Sequence, residues 1–188
     1  MKYNYFEALD SLSVRVYDAV SSACSERGIV SEKSLAQIRG GFNSALLELE
    51  TSLFGEFIPP LKRDNIAAYA HALSRVTDTA CEHIALKLSH GSIGKRLSEE
   101  DICIELAKLI HDGTSMLKSL RKPDIMPDIK SFREYSRKGL EAHTASLAQI
   151  SRGALPKSYL QPLISAGKLR SELSVCFDVL LETMFNNI

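Results

Sequence analysis

Residues 73–82 read LSRVTDTACE, and residues 173–182 read LSVCFDVLLE. Both windows follow the pattern L-S-x-x-x-D-x-x-x-E, and they stand one hundred positions apart. Each lies midway along a long segment in which apolar residues recur at the spacing of an α-helix. The windows therefore predict two related helices at corresponding places in the two halves of the chain. We interpret the repeat as an internal duplication.

Proline and glycine divide the rest of the chain into similar apolar segments. The predicted helices lie near 4–27, 32–56, 61–89, 98–121, 128–151 and 157–186. No segment alternates apolar and polar residues with period two, so we expect no sheet. Long helices joined by short loops pack as antiparallel bundles. The sequence predicts an all-α fold, in which two three-helix repeats, about 1–93 and 98–188, form a six-helix bundle in a single domain, 1–188.

The composition excludes several classes of protein. Apolar residues make up 45% of the 188 residues, which is enough for a sizeable core, and 23 basic residues balance 23 acidic ones. A neutral chain without a basic run has no long-range attraction for nucleic acid or anionic lipid. No apolar run approaches the length of a membrane span, and the N-terminus MKYNYFEALD does not read as a signal peptide. We therefore expect a cytoplasmic protein that does not insert into membranes.

The four cysteines, at positions 24, 81, 103 and 176, form no C-x-x-C pair. Each lies inside an apolar helical pattern. We expect buried free thiols in a reducing compartment.

The acids of the repeated windows point to the rim of the bundle. The predicted buried stripe of the third helix consists of Ile66, Ala70, Leu73, Thr77, Ala80 and Ile84. At 100° per residue, Asp78 lies roughly 120° from the centre of this stripe, and Glu82 lies nearer to solvent. Asp178 and Glu182 take nearly the same positions on the sixth helix. One interpretation of these acids is an ordinary solvent-exposed helix face. The other is a metal or phosphate-related site, because carboxylates four residues apart project to the same side of a helix.

Residues 57–82, FIPPLKRDNIAAYAHALSRVTDTACE, resemble a segment of the PhoU-like family of phosphate-transport regulators. That segment has the form F-I-T-P-x-x-R-E-D-I, followed by an apolar helix reading L-D-D-V-x-D-x-x-E. The matching residues are Phe57, Ile58, Pro59 or Pro60, Arg63, Asp64, Ile66, Leu73, Val76, Asp78 and Glu82. The length and the two three-helix repeats extend the resemblance to essentially the whole chain.

The resemblance implies a function and a site. PhoU-like proteins are helical bundles that bind multinuclear clusters of iron or zinc through E/D-x-x-x-D motifs on the second and third helices of each repeat. They act as regulators or accessory partners of phosphate uptake systems, and this subgroup is commonly paired with a low-affinity inorganic phosphate transporter. They are not known as enzymes.

The metal motifs of the family are incomplete in this sequence. On the third and sixth helices, Ser74 and Ser174 replace the first acid, while Asp78 and Asp178 remain. On the second helix the corresponding pair is an arginine at 39 and an asparagine at 43, and on the fifth it is an arginine at 137 and Glu141.

Charge decides what these replacements imply. A trinuclear cluster needs many carboxylates to offset its charge, and an arginine beside it opposes binding. We therefore predict that the cluster is absent or much weakened, particularly in the first half. A weakly bound divalent or ferric ion remains an alternative, with Asp78, Glu82, Asp178, Glu182 and Glu141 as candidate ligands.

Two further alternatives stay open, and one of them is that the scaffold serves an unrelated protein partner. A carboxylate metalloprotein with redox or hydrolytic activity is the runner-up, although the chain lacks the Glu-x-x-His pairs of di-iron bundles. The sequence also lacks G-x-S-x-G, G-x-G-x-x-G and H-E-x-x-H, so we do not expect an enzyme. His71 lies two turns from Asp78, and we interpret it as a surface histidine.

Apolar side chains crowd two places in the sequence. One is the second junction, with Phe54, Phe57, Ile58 and Leu61, and the other is the C-terminus, with Val179, Leu180, Leu181, Met184 and Phe185. They either fill the end of the core or form a surface for a homodimer or a phosphate transporter. The sequence thus predicts a regulator or accessory protein of inorganic phosphate transport that acts through protein–protein interaction.

Overall fold

A computed structural model of the chain describes residues 3–25, 31–55, 59–90, 97–119 and 126–187. These ranges contain six α-helices and no strand. The helices are α1 (Tyr5–Cys24), α2 (Glu32–Gly55), α3 (Arg63–His90), α4 (Ser98–Met116), α5 (Ile129–Ser151) and α6 (Leu160–Phe185). Short 3-10 segments follow α4 at Leu117–Ser119 and precede α6 at Lys157–Tyr159. The prediction of an all-α, six-helix bundle is confirmed.

Polar side chains accept backbone N–H groups at the starts of several helices. The Asn4 side chain accepts the N–H of Glu7 at the start of α1, and Asp128 accepts the N–H of Ser131 at the start of α5. At α4 the capping residue is Leu97. The Glu100 carboxylate reaches back to accept the Leu97 N–H at 3.0 Å, which is one half of a capping box.

Four helices form the centre of the bundle. α1 packs on α3 and α4, α6 packs on the same two helices, α2 lies beside α1 and α3, and α5 lies beside α4 and α6. The predicted stripe of α3 is buried in this core along its whole length. The exposed sides of α3 and α6, with α2 beside one and α5 beside the other, form the surface that we name the α3–α6 face. The division into repeats 1–93 and 98–188, and the duplication, stay predictions.

The apolar residues at the two crowded places divide between core and surface. Leu61, Leu180 and Met184 are buried, while Phe54 is 84% exposed and Phe185 is 55% exposed. Val179 and Leu181 are partly buried against the core. Phe57 and Ile58 lie outside the described residues. Phe54 lies at the end of α2, and Phe185 lies at the end of α6. The Asn187 side chain accepts the N–H of Lys62, so the end of α6 lies beside the start of α3. The two exposed phenylalanines are therefore at the same end of the bundle.

The four cysteines are free and buried, as predicted. Across the described ranges, no helix combines the length and the apolar content that crossing a membrane requires.

Candidate functional site

The five predicted ligand residues lie on the surface, three of them in ion pairs. Asp78 and Glu82 are about half exposed on the α3 side of the α3–α6 face. Asp178 and Glu182 are exposed on α6, and Glu141 is exposed on α5. The predicted rotation of the α3 acids toward the rim is therefore confirmed.

Asp78 is paired with a cation from the neighbouring helix. Arg39 on α2 places its Nε 3.6 Å from Asp78 Oδ1. The pair is about half exposed, so it contributes little to stability. The pair matters for metal binding instead. The guanidinium places a positive charge beside the carboxylate, in the space that a metal ion would need.

Two more ion pairs join α3 to α6. Lys168 donates to Glu82 Oε2 at 2.6 Å, and Arg75 donates to Glu172 Oε2 at 3.3 Å. The hydrogen bond and the charge of Glu82 raise the pKa of Lys168. Asp78, Glu82 and Glu172 on this face are thus each paired with a basic side chain of the same chain.

The second half of the chain uses its arginine differently. Arg137 pairs with Glu141 one turn further along α5. Asp178 and Glu182 form no ion pair with any other described residue. The first-half arginine therefore crosses between helices, whereas the second-half arginine stays on its own helix.

The described residues offer no preformed metal site. Nowhere in the described ranges do three or more His, Cys, Asp or Glu side chains come together in a group able to hold a metal ion. A metal ion at Asp78 or Glu82 would first have to displace Arg39 or Lys168. A multinuclear cluster of the family type does not fit this set of side chains.

Sequence reasoning missed a buried ionic centre at the start of α4. Glu100 is 2% exposed and its Oε1 lies 2.9 Å from His83 Nε2 and 2.9 Å from Lys87 Nζ. Lys87 also donates to the carbonyl of Ala23 at the end of α1. Burial alone would raise the pKa of Glu100, but hydrogen bonds from His83 and Lys87, the lysine charge and the Leu97 N–H together lower it.

Glu99 forms the second half of this centre and faces the other helices. Its carboxylate accepts from Arg170 Nε on α6 at 3.0 Å and lies 2.8 Å from His143 Nδ1 on α5. Two helical glycines make room for these side chains. A Cβ at Gly139 would lie 2.5 Å from Arg170 Cδ, and one at Gly167 would lie 2.9 Å from His143 Cε1. Neighbouring glutamates thus tie α4 to α3 on one side and to α5 and α6 on the other.

The only sequence signal for this centre was the run of three acids in the first turn of α4. Such acids usually stabilise a helix N-terminus from solvent. Glu99 and Glu100 are buried, and the two histidines, the lysine and the arginine that contact them stand 13 to 71 positions away, so the local pattern could not reveal these contacts.

Asp10, Ser13 and His111 also lie close together, between α1 and α4. Ser13 Oγ is 2.9 Å from His111 Nδ1, and Asp10 Oδ1 is 3.9 Å from the same nitrogen. A nucleophilic triad needs the serine and the acid on opposite ring nitrogens. Ser13 is also buried, and its hydroxyl lies 2.7 Å from the Asp10 carbonyl. This group is therefore a helix–helix contact without the geometry of a triad.

Comparison with known proteins relates the fold to the resemblance seen in the sequence. No protein-family model matches the chain, and no curated protein matches it significantly. A crystal structure of a PhoU-like protein from Shewanella oneidensis MR-1 is similar with a TM-score of 0.66 and 11% identity, over 97% of this chain and 99% of that one. A second, titled a "putative PhoU-like phosphate regulatory protein" from the same organism, has a TM-score of 0.69 and 12% identity, over 98% and 100%. From end to end, the chain has the fold of these PhoU-like proteins.

Proposed function

We propose that this protein is a cytoplasmic regulator or accessory protein of inorganic phosphate transport that acts by binding a protein partner. The proposal is supported by a fold similar to that of a PhoU-like phosphate regulatory protein over nearly the full length of both chains. It is further supported by the α3–α6 face, where internal cations stand beside the acids. In our proposal, ion pairs join the helices of this face where a bound metal cluster joins them in the family.

The charge balance of the α3–α6 face supports the proposal that the protein works without a bound metal cluster. Asp78, Glu82 and Glu141 each have a basic side chain within salt-bridge distance. The hydroxyls of Ser74 and Ser174 can coordinate a metal but cannot neutralise its charge. Among the described residues, Asp178 and Glu182 are the predicted ligands left without an ion pair, and two carboxylates offset too little charge for several trivalent or divalent ions.

Metal analysis tests this part directly. We expect less than one iron, zinc or manganese per chain in untagged protein from cells supplied with all three metals. The Asp78→Ala/Asp178→Ala variant should give the same value. Asp18→Ala/Asp112→Ala, two exposed acids on α1 and α4, is the control with equal charge change. Two or more metals per chain that only the first variant removes would show that the face is a working metal site.

The partner surface in this proposal is the end of the bundle that exposes Phe54 and Phe185. Large aromatic side chains are enriched at protein interfaces and contribute much of the binding energy there. We propose that a phosphate transporter binds at this end, and a homodimer is the alternative occupant.

Phosphate uptake in living cells tests the function as a whole. Cells that lack this protein should show altered uptake of radiolabelled phosphate, and the wild-type chain should restore it. The Phe54→Asp/Phe185→Asp variant should fail to restore uptake, whereas Val14→Asp, on an exposed α1 position, should succeed. Unchanged uptake on deletion, at both low and high external phosphate, would overturn the proposed role.

A further inference from the structure

The thiols of Cys24 and Cys103 lie side by side in the core, where α1 packs on α4. Both side chains are fully buried. A hydrogen bond joins the two thiols and, together with burial, raises the pKa of Cys103. The Cys103 sulfur also lies 3.8 Å from the carbonyl oxygen of Ala166 on α6. The two cysteines thus form a dithiol at the junction of three helices.

The register of α1 against α4 brings these cysteines together independently of the hydrogen bond. Ser13 Oγ on α1 lies 2.9 Å from His111 Nδ1 on α4. Cys24 lies eleven residues, or about 16 Å, further along α1, and Cys103 lies eight residues, or about 12 Å, back along α4. Because the two helices run antiparallel, both steps lead to the same level of the bundle within about one helical turn.

Lys87 on α3 joins the two helices at this same level. Its Nζ lies 2.9 Å from the carbonyl oxygen of Ala23, the residue before Cys24, and 2.9 Å from Oε1 of Glu100, one turn before Cys103. When helix axes are about 8–10 Å apart, facing Cα atoms lie within about 7 Å, a separation that a disulfide can bridge. The two sulfurs can therefore bond when their side chains rotate, while both helices keep their places.

We propose that Cys24 and Cys103 form an oxidative modification site, at which a peroxide converts the two thiols into a disulfide that locks α1 to α4. One sulfur gives up its proton and attacks an oxygen of hydrogen peroxide, which breaks the O–O bond. The released hydroxide takes the proton and leaves as water, and the sulfur becomes a sulfenic acid. The second thiol then displaces the sulfenic hydroxyl as another water and closes the S–S bond. The two sulfurs lose two electrons in all, and the peroxide is reduced to two waters.

Burial determines which reagents reach this site. Hydrogen peroxide is small and uncharged, so it enters a packed core more readily than a large or charged oxidant does. In a reducing compartment the disulfide is transient, because a small thiol reduces it again by exchange. The proposal concerns the interior of the bundle and does not depend on the phosphate-related function.

Oxidation of the reduced, full-length protein with hydrogen peroxide tests the site. After the remaining thiols are blocked with iodoacetamide, mass spectrometry should find the peptides of Cys24 and Cys103 linked and lighter by two hydrogen atoms. Cys81 is hydrogen-bonded to Arg39 instead, and Cys176 lies within range of a charged arginine. Cys81→Ser/Cys176→Ser is therefore the matched control and should form the same link, whereas Cys24→Ala should not.

Thermal melting of the wild-type protein shows whether the disulfide locks the two helices. The link closes a loop of about 80 residues, so oxidation should raise the Tm by about 10 °C, and dithiothreitol should reverse the shift. A link from either cysteine to Cys81 or Cys176 would rule out the site, as would recovery of Cys24 and Cys103 unlinked after oxidation. A linked protein whose Tm does not rise would rule out the lock.

Discussion

Arg170→Met should be among the most destabilising single substitutions in this protein. Glu99 is 1% exposed and Arg170 side-chain atoms are only 16% exposed, so the two charges neutralise each other away from water. Removing one partner of a buried pair leaves the other charge buried, and typically destabilises a protein by about 3–5 kcal/mol. His143 lies 2.8 Å from Glu99 and offsets part of the loss, so we expect the lower end, about 3 kcal/mol.

A double-mutant cycle isolates the pair. Glu99→Gln keeps the shape of the side chain and removes its charge, and we expect it to destabilise the fold by about 2–3 kcal/mol. If the two residues act together, the double variant should be more stable than the sum of the single effects predicts, by about 1–3 kcal/mol. Urea unfolding followed by circular dichroism measures all four proteins.

Thermal melting gives an independent measure of the same effect. A loss of 1 kcal/mol lowers the Tm by about 2–4 °C in a chain of this size, so Arg170→Met should lower it by roughly 6–12 °C. Arg75→Met, which breaks an exposed ion pair with Glu172, is the control and should change stability by less than about 1 kcal/mol. Single effects at 99 and 170 that add to within about 0.5 kcal/mol would refute the reasoning.

Three further predictions follow from the same structure. The pKa of Glu100 is lowered from its ordinary value of 4.5, so its ionised form stabilises the fold above that value. This contribution disappears as the pH falls through the lowered pKa. In urea unfolding below about pH 4.5, Glu100→Gln should therefore lose less stability with falling pH than the wild-type protein does. Gly139→Ala and Gly167→Ala should each destabilise the fold by about 1–3 kcal/mol, because the added Cβ meets Arg170 at the first site and the His143 ring at the second. Gly40→Ala has open space around it and should stabilise α2 by about 0.5–1 kcal/mol. A gain in stability at all three sites would contradict the close packing at Gly139 and Gly167. Phe185→Asp should reduce the mass measured by light scattering if the C-terminal end holds a homodimer, and an unchanged mass argues against an interface there.

The helices were predictable because each bears a periodic stripe of apolar residues between proline or glycine breaks. The stripe from Ile66 to Ile84 is buried as its spacing predicts, and Asp78 lies on the rim. The helix ends were less predictable, since 3-10 turns follow α4 and precede α6. End geometry depends on contacts that a local pattern does not contain.

The partners of the acids were less predictable than their positions. The sequence indicated an arginine beside each motif, but not that Arg39 would cross to Asp78 while Arg137 would remain on α5 with Glu141. The buried centre at Glu99 and Glu100 was missed altogether. Long-range pairing of charged side chains has no period, so composition and spacing could not predict it.

The four buried cysteines allow the opening of this bundle to be measured chemically. All four thiols are inaccessible in the folded structure. Burial raises the pKa of Cys81 and Cys176, and a hydrogen bond with Cys24 together with burial raises that of Cys103, which further slows the reaction of all three with alkylating reagents. The rate of alkylation at each site, read by mass spectrometry, therefore reports how often its surroundings open. Cys24 follows Ala23 at the end of α1, and Cys103 lies one turn after Glu99. Both should become reactive before Cys81 and Cys176 when the start of α4 separates from its neighbours.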